Sequence, residues 1–339
     1  MLNLRRIFMH LAAQLAGVCV LLAPPLAAQA AQAAQGDTPF FPTKPVRIIT
    51  PFPVGSGPEG VARMVAEKLS KQWGQPVTVE NRPGGNGFIA IEAFKRGAID
   101  GHDLIQLDSV HLTAYPYLFK KLPYDPKNDF DPLLPLFKTY FFATTASNSK
   151  YKNVADLIAD AKANPGKLNY GSWSVGNPVH LGSALFETVT GTQMEHVVFK
   201  ETSQLYASVA QGDLAFALGT SATAGAMYRA GKIKFLAVAA PNRIAGYPDV
   251  PTFKEAGGPA GFEVSGWTTI AAPRSLSRPI ADKITQDIAK ALSEPDVREK
   301  YLVFGYELFP QTREQLAQYI QSESVRQAAI VTRAKAALD

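Results

Sequence analysis
Lys44-Pro-Val-Arg-Ile-Ile-Thr-Pro-Phe-Pro-Val-Gly-Ser-Gly-Pro-Glu-Gly60, with the run behind it to Trp73, carries a strand, a glycine turn and a helix start in one piece. Val46, Ile48, Ile49 and Thr50 are β-branched and bounded by Pro45 and Pro51, which predicts a short buried strand. Gly55, Gly57 and Gly60 mark a turn in which side chains would be in the way. Val61, Met64, Val65 and Leu69 then recur at helical spacing, and Pro58 suits a first helical turn, where a missing N–H costs nothing. The free N–H groups of such a helix start point into the turn, and the helix dipole favours negative charge there.

Three readings of this stretch stay open on these residues alone. It can be a packing turn in an α/β domain. It can be a dinucleotide site, because Gly55-x-Gly57-x-x-Gly60 fits G-x-G-x-x-G, and a second strand at Val77-Thr78-Val79-Glu80 ends in an acid suited to a ribose. It can also be a carboxylate site using the same amides. Pro51-Phe52-Pro53 weakens the dinucleotide reading, since it separates strand from first glycine where a Rossmann turn would follow at once.

The N-terminus adds the compartment. Arg5 and Arg6 precede a mostly apolar run from Leu11 to Leu26, and Ala28-Gln29-Ala30 offers an A-x-A cleavage site, with Ala31-Gln32-Ala33 as another. Residues 1–30 are therefore expected to be a signal peptide, cleaved near 30–36, for export to the periplasm. Arg5-Arg6-Ile7-Phe8 also resembles a twin-arginine signal. The apolar run is short and interrupted by Pro24-Pro25, unlike a membrane span. Cys19 is the chain's single cysteine and leaves with this segment, so the mature chain is expected to have no disulfide, thiol nucleophile or thiolate metal site. The formal charge of +5 falls to about +3 once Arg5 and Arg6 are removed, without any basic run, which argues against nucleic acid.

Short apolar strands continue to alternate with amphipathic helices, the α/β signature. A helix is expected near Phe88–Phe94, and a strand at Leu104–Leu107 with Asp108-Ser109-Val110-His111 at its carboxyl end. Leu122 to Pro132 is proline-rich and irregular. Phe137–Thr145 reads as a strand crossing to a second lobe, followed by a helix over Val154–Ala163. The opening arrangement then recurs: Lys167–Gly171 as strand, Ser172-Trp-Ser-Val-Gly-Asn177 as turn, and Pro178 opening a helix through Leu185. Strands are expected near Met194–Val198, Leu214–Leu218 and Phe235–Ala239, and Phe262–Ala271 returns to the first lobe. Helices over Ile280–Leu292, Val297–Phe304 and from Arg313 close the chain. Two helix starts, one per half, could face each other across a cleft.

The chain resembles the periplasmic receptors of tripartite tricarboxylate transporters, the Bug family of extracytoplasmic solute-binding proteins. The resemblance covers the mature chain and rests on Pro45-Val-Arg-Ile-Ile with Pro51-Phe-Pro, Val79-Glu-Asn-Arg-Pro-Gly-Gly85, Leu122-Pro-Tyr-Asp-Pro126, Pro165-Gly-Lys-Leu-Asn-Tyr-Gly-Ser172 with His180-Leu181, Ala230-Gly-Lys232 and Pro248-Asp-Val-Pro-Thr252. It implies an α/β, two-lobed type II periplasmic binding protein (Venus flytrap) fold, with residues 37–142 and 265–339 in one lobe and 143–264 in the other. It implies a small carboxylate ligand, integral-membrane transporter subunits as partners, no cofactor and no catalysis; a monomer is expected.

The family's grip on a carboxylate, by backbone amides and ordered waters of two loops, maps onto Pro53–Glu59 and Ser172–Val179. Expected ligand-binding residues are Pro53, Gly55, Ser56, Gly57, Glu59, Asp108, Ser109, Ser172, Trp173, Ser174, Asn177, Val179 and Thr220. The chain departs from the family's usual Pro-Gly-Gly-Gly-Thr-Asp in its Val54-Gly55-Ser56-Gly57-Pro58-Glu59, and its second loop carries Trp173 and Pro178. Ser56, Ser172 and Ser174 are candidate hydroxyl donors or plain turn residues. Trp173 either walls a flat, aromatic ligand or fills space between lobes. Glu59 and Asp108 either select an amino group or are exposed and idle. A valine at Gly57 is expected to block amide approach while sparing the fold. His102, His111, His180 and His196 lack zinc spacing. A serine hydrolase would want Gly-x-Ser-x-Gly, which Gly171-Ser-Trp-Ser-Val-Gly176 misses by one residue. An NAD-dependent oxidoreductase using Gly55-x-Gly57-x-x-Gly60 and, behind it, that hydrolase are the alternatives to a receptor.

Overall fold
The computed structural model describes residues 40–334; the expected signal peptide and its cleavage sites lie outside them. The β-branched run forms β1 (Val46–Thr50), and the apolar spacing behind it forms α1 (Gly57–Trp73). Val61, Val65 and Leu69 are buried on one face of α1, as a 3.6-residue period requires. Full burial of one such side chain stabilises the lobe by about 1.5–3 kcal/mol. The helix stops at Gly74, whose N–H still reaches the Ser70 carbonyl at 3.1 Å and whose left-handed φ of 64° turns the chain out of the helix.

Then follow β2 (Val77–Asn81), α2 (Phe88–Lys95), β3 (Asp103–Asp108), the short helices α3 (Ser109–Thr113) and α4 (Tyr115–Leu118), and β4 (Phe130–Tyr140). The second half holds β5 (Phe142–Ala146), α5 (Val154–Ala163), β6 (Asn169–Ser172), α6 (Pro178–Thr190), β7 (Glu195–Val198), α7 (Thr202–Gln211), β8 (Phe216–Gly219), α8 (Ser221–Arg229) and β9 (Ile233–Val238). The chain closes with β10 (Ser265–Pro273), α9 (Arg278–Leu292), α10 (Pro295–Phe304), β11 (Tyr306–Glu307) and α11 (Arg313–Ala334).

Two mixed sheets result, with strand orders β11-β4-β10-β3-β1-β2 and β7-β6-β8-β5-β9. Both follow one plan: within each sheet an antiparallel strand arriving from elsewhere in the chain is inserted among the parallel ones, and in the first sheet the short β11 also runs antiparallel, at the edge beside β4. In the first sheet that visitor is β10, antiparallel to β3 and β4; in the second it is β5, antiparallel to β8 and β9. The α/β, two-lobed architecture is thus as expected, and each lobe has its own apolar core.

Two local expectations are corrected. Phe137–Thr145 is not one strand: β4 ends at Tyr140, and Phe141 turns the chain into β5. Phe141 there donates its N–H to Val264 at 3.2 Å and accepts from Ala239 at 2.8 Å, so the two crossing segments are tied together. Helices α7 and α8 were not expected, because Thr202–Gln211 and Ser221–Arg229 carry Ser and Thr among few large apolar residues, so that their apolar stripes are short. Both form because buried residues such as Leu205, Tyr206 and Ala224 pack onto the second sheet.

Candidate functional site
The first corner lies between β1 and α1. Gly55 adopts a φ of +80°, which an L side chain rarely takes, and presents its N–H inward. That N–H is taken by the chain itself: it donates to Glu59 Oε2 at 3.1 Å. Glu59 is 2% exposed, and its other oxygen accepts from Arg63, so it is a buried structural acid rather than an exposed idle one. The Ser56 amide donates to the Pro53 carbonyl at 3.2 Å. Three donors at the helix start remain: Ser56 Oγ is buried with no hydrogen-bond partner in the protein, and the Gly57 and Glu59 amides donate to none of the described residues. Buried polar atoms without partners are rare, since each loses its hydration unrewarded.

Gly57 corrects a second expectation. A Cβ there would lie 2.2 Å from the Tyr306 hydroxyl and 3.1 Å from Ala222 Cβ. The face of Gly57 is therefore already covered, and a valine would collide with protein before it could obstruct any ligand.

The second corner, between β6 and α6, is a closed hydrogen-bond circuit. Asn177 caps α6, its Oδ1 accepting from Val179 N at 2.7 Å and His180 N at 3.0 Å, while its Nδ2 donates to the Ser174 carbonyl at 2.6 Å. Gly176 N donates to His180 Nδ1 at 3.0 Å, which puts the neutral imidazole's proton on Nε2. Ser172 Oγ stands 2.7 Å from His196 Nε2 and 3.0 Å from the Ser174 carbonyl. Since a hydroxyl has one proton, both bonds hold together only when His196 Nε2–H donates to Ser172 and Ser172 donates to Ser174. The imidazoles of His180 and His196 stack at 4.2 Å. Burial, then the neighbouring His196, pushes His180 down to about 4, and burial lowers His196. What the circuit leaves for a ligand is the proton of the Ser174 hydroxyl, whose oxygen accepts from Asn177 Nδ2 at 3.3 Å, and the amides of residues 173–175.

Trp173 is half-buried and packs against both apolar clusters of the second lobe. Asp108 caps α3: Val110 N and Ser109 Oγ both reach its Oδ1, at 3.2 and 3.0 Å, and its own N–H donates to His111 Nδ1 at 3.1 Å. Burial raises Asp108 and lowers His111, so the pair is a structural cap and Asp108 too is not an idle surface acid. Thr220 caps α8, accepting from Thr223 N at 3.3 Å. The fold brings the Pro53–Glu59 loop against the start of α8, through Gly57 and Ala222, and the Ser172–Asn177 loop against α4, where Leu118 approaches Gly176. Tyr306 and His196 complete these corners, and nothing local in the sequence pointed to either; only the pairing of β11 with β4 and of β7 with β6 puts them there.

The geometry also bears on the enzyme alternatives. Ser172 and His196 are within proton-transfer distance, but Ser172 is fully buried, and among the described residues no carboxylate orients His196 Nδ1, as a nucleophilic dyad would need. In the glycine turn, the buried Glu59 carboxylate would oppose a pyrophosphate, and Glu80 is held by Arg47 at 2.7 Å and by Arg82.

Residues 61–335 match the model of the tripartite tricarboxylate transporter family receptor, TctC. The chain is 28% identical to the protein BugT of Bordetella pertussis over 305 residues, 90% of this chain and 93% of BugT. Among solved structures it is similar to Rpa4515 of R. palustris with adipate (TM-score 0.80, 27% identity, 88% of this chain and 99% of that one). It is similar also to MatC of Rhodopseudomonas palustris with bound malate (TM-score 0.75, 29% identity, 86% and 100%). With a two-lobed fold and a match over most of its length, the chain belongs to the Bug-type TctC receptors of the tripartite tricarboxylate transporter family.

Proposed function
We propose that this protein is a periplasmic receptor that closes its two lobes on a small carboxylate and hands it to integral-membrane transporter subunits. The observation that carries the reading is the start of α1, where the buried Ser56 hydroxyl and the adjoining Gly57 amide are donors without protein acceptors. A carboxylate there would accept both bonds at the positive end of a helix 17 residues long. One helix terminus contributes at most about 2 kcal/mol, whereas micromolar binding needs roughly 8 kcal/mol. The Ser174 hydroxyl and the amides of residues 173–175 supply further donors from the second lobe, so full affinity needs both corners and hence closure. The adipate and malate held by similar receptors support an acid as ligand. Donors from two loops, rather than a dedicated cationic side chain, make the grip tolerant of what lies beyond the carboxylate.

The test is a thermal-shift panel of the mature protein against mono-, di- and tricarboxylates, aromatic acids, amino acids and NAD. An acid that binds the native state raises the melting temperature, as mass action requires. The Ser56→Ala variant is expected to keep the unliganded melting temperature and lose most of the shift. A shift with NAD alone, or one that survives Ser56→Ala in full, would count against this site.

A further inference from the structure
We propose that Tyr306 is a specificity-determining residue of the cleft, its hydroxyl donating to a second polar group on the ligand, so that diacids are preferred over monoacids of equal length. The inference rests on the carboxylate reading above and adds to it which end of the ligand is read, and by what.

Tyr306 is 5% exposed, and its ring cannot swing. It lies flat on Phe137, with centroids 4.0 Å apart and planes at 10°, and meets the edge of Tyr301 at 5.9 Å and 88°. Three other buried tyrosines spend their proton inside the protein, Tyr206 on Leu218 O at 2.9 Å, Tyr301 on Leu136 O at 2.9 Å and Tyr124 on His111 O at 2.7 Å, whereas Tyr115, away from the start of α1, is buried without such a bond to a described residue. The Tyr306 hydroxyl donates to none of the described residues. It is also placed where the lobes meet, 2.2 Å from the position of a Gly57 Cβ, which itself would be 3.1 Å from Ala222 Cβ at the start of α8. Burial pushes its ionisation well above the usual phenol range, so it remains a donor at any physiological pH. A rigid, protonated, unpartnered hydroxyl beside the start of α1 is set to complement an acceptor that the first carboxylate does not provide.

The measurement is titration of the mature wild type and of Tyr306→Phe with two probes, adipate and hexanoate, which differ by one terminal carboxylate. A hydrogen bond to a charged group supports a loss of about tenfold or more in adipate affinity in the variant, with hexanoate affinity unchanged. Because the hydroxyl has no bond in the free protein, the unliganded melting temperature is expected to match the wild type, whereas Tyr301→Phe, which loses its bond to Leu136, is expected to melt lower. Equal adipate affinity in wild type and Tyr306→Phe overturns the assignment of Tyr306, as does an equal loss for both probes, and both results leave the carboxylate site standing. If the wild type binds neither adipate, hexanoate nor any acid of the wider panel, the site reading fails and this inference with it.

Discussion

The His180 imidazole stacks on that of His196 at 4.2 Å, and each ring holds one end of the 172–180 loop: His180 through the Gly176 amide, His196 through the Ser172 hydroxyl. Protonating His180 would turn the acceptor of the Gly176 N–H into a donor and, where His196 is protonated too, set two cations face to face. Its folded value of about 4 lies below the ordinary 6.5, so between those limits the unfolded chain takes up a proton that the native state refuses. Stability therefore falls as pH drops from 6.5 towards 4. Melting curves across that range are expected to show a smaller decline in His180→Gln than in the wild type; parallel curves would mean that the pair does not titrate as described.

Gly57→Ala is expected to destabilise the protein by about 1–3 kcal/mol, the range for overpacking a filled site. Its new Cβ falls 2.2 Å from the Tyr306 hydroxyl. Combining it with Tyr306→Phe removes the colliding atom and should restore much of the loss. Additive effects in the double-mutant cycle, read by denaturant unfolding, would show that the two side chains do not meet.

Glu59→Gln tests the internal anion of the first corner. The neutral amide can satisfy either Gly55 N–H or Arg63, not both with charge, and a loss of about 2 kcal/mol is expected. Unfolding in denaturant measures it. An unchanged midpoint would mean that the buried carboxylate does not hold the loop.

Ser221 Oγ donates to the Phe304 carbonyl, joining α8 to the end of α10, and Gly305 has a φ of 61° where a Cβ would come 2.7 Å from that hydroxyl. Ser221→Ala removes this tie between α8 and α10 and, on the proposed two-lobe grip, should weaken acid binding about fivefold, in line with one lost hydrogen bond of about 1 kcal/mol. Small-angle scattering of the unliganded variant is expected to give a larger radius of gyration than the wild type. Identical scattering and affinity would remove the bond from the account of closure.

Trp173 can be assigned by fluorescence. It packs on both cores of the second lobe, and a ring that also walls the ligand should respond to a bound aromatic acid. Trp73 and Trp267 are the other tryptophans, so Trp173→Phe supplies the reference. A response that persists in Trp173→Phe would leave Trp173 as packing alone.

Much of the fold was legible because its signals are local. The β-branched run at Val46–Thr50, the α1 spacing and the helix-opening Pro178 give strands and helices near their observed limits. The break at Phe141 was not legible, since the aromatic run Tyr140-Phe141-Phe142 has the same composition on both sides of the crossing. The corners were legible as corners, because glycine and proline punctuate them. Which of their donors are free was not, because that depends on long-range partners: Tyr306 reaches Gly57, and His196 reaches Ser172 from a neighbouring strand. Glu59 shows the limit most clearly, as an acid in a turn gives no sign from sequence that it will fold back onto its own glycine amide.

The most direct test is a crystal structure of the mature protein with the tightest-binding acid of the panel. One carboxylate oxygen is expected within hydrogen-bonding reach of both Ser56 Oγ and Gly57 N, with the Ser172–Asn177 loop closing over it. An acid bound away from the start of α1, with the Ser56 hydroxyl still unpartnered, would contradict it.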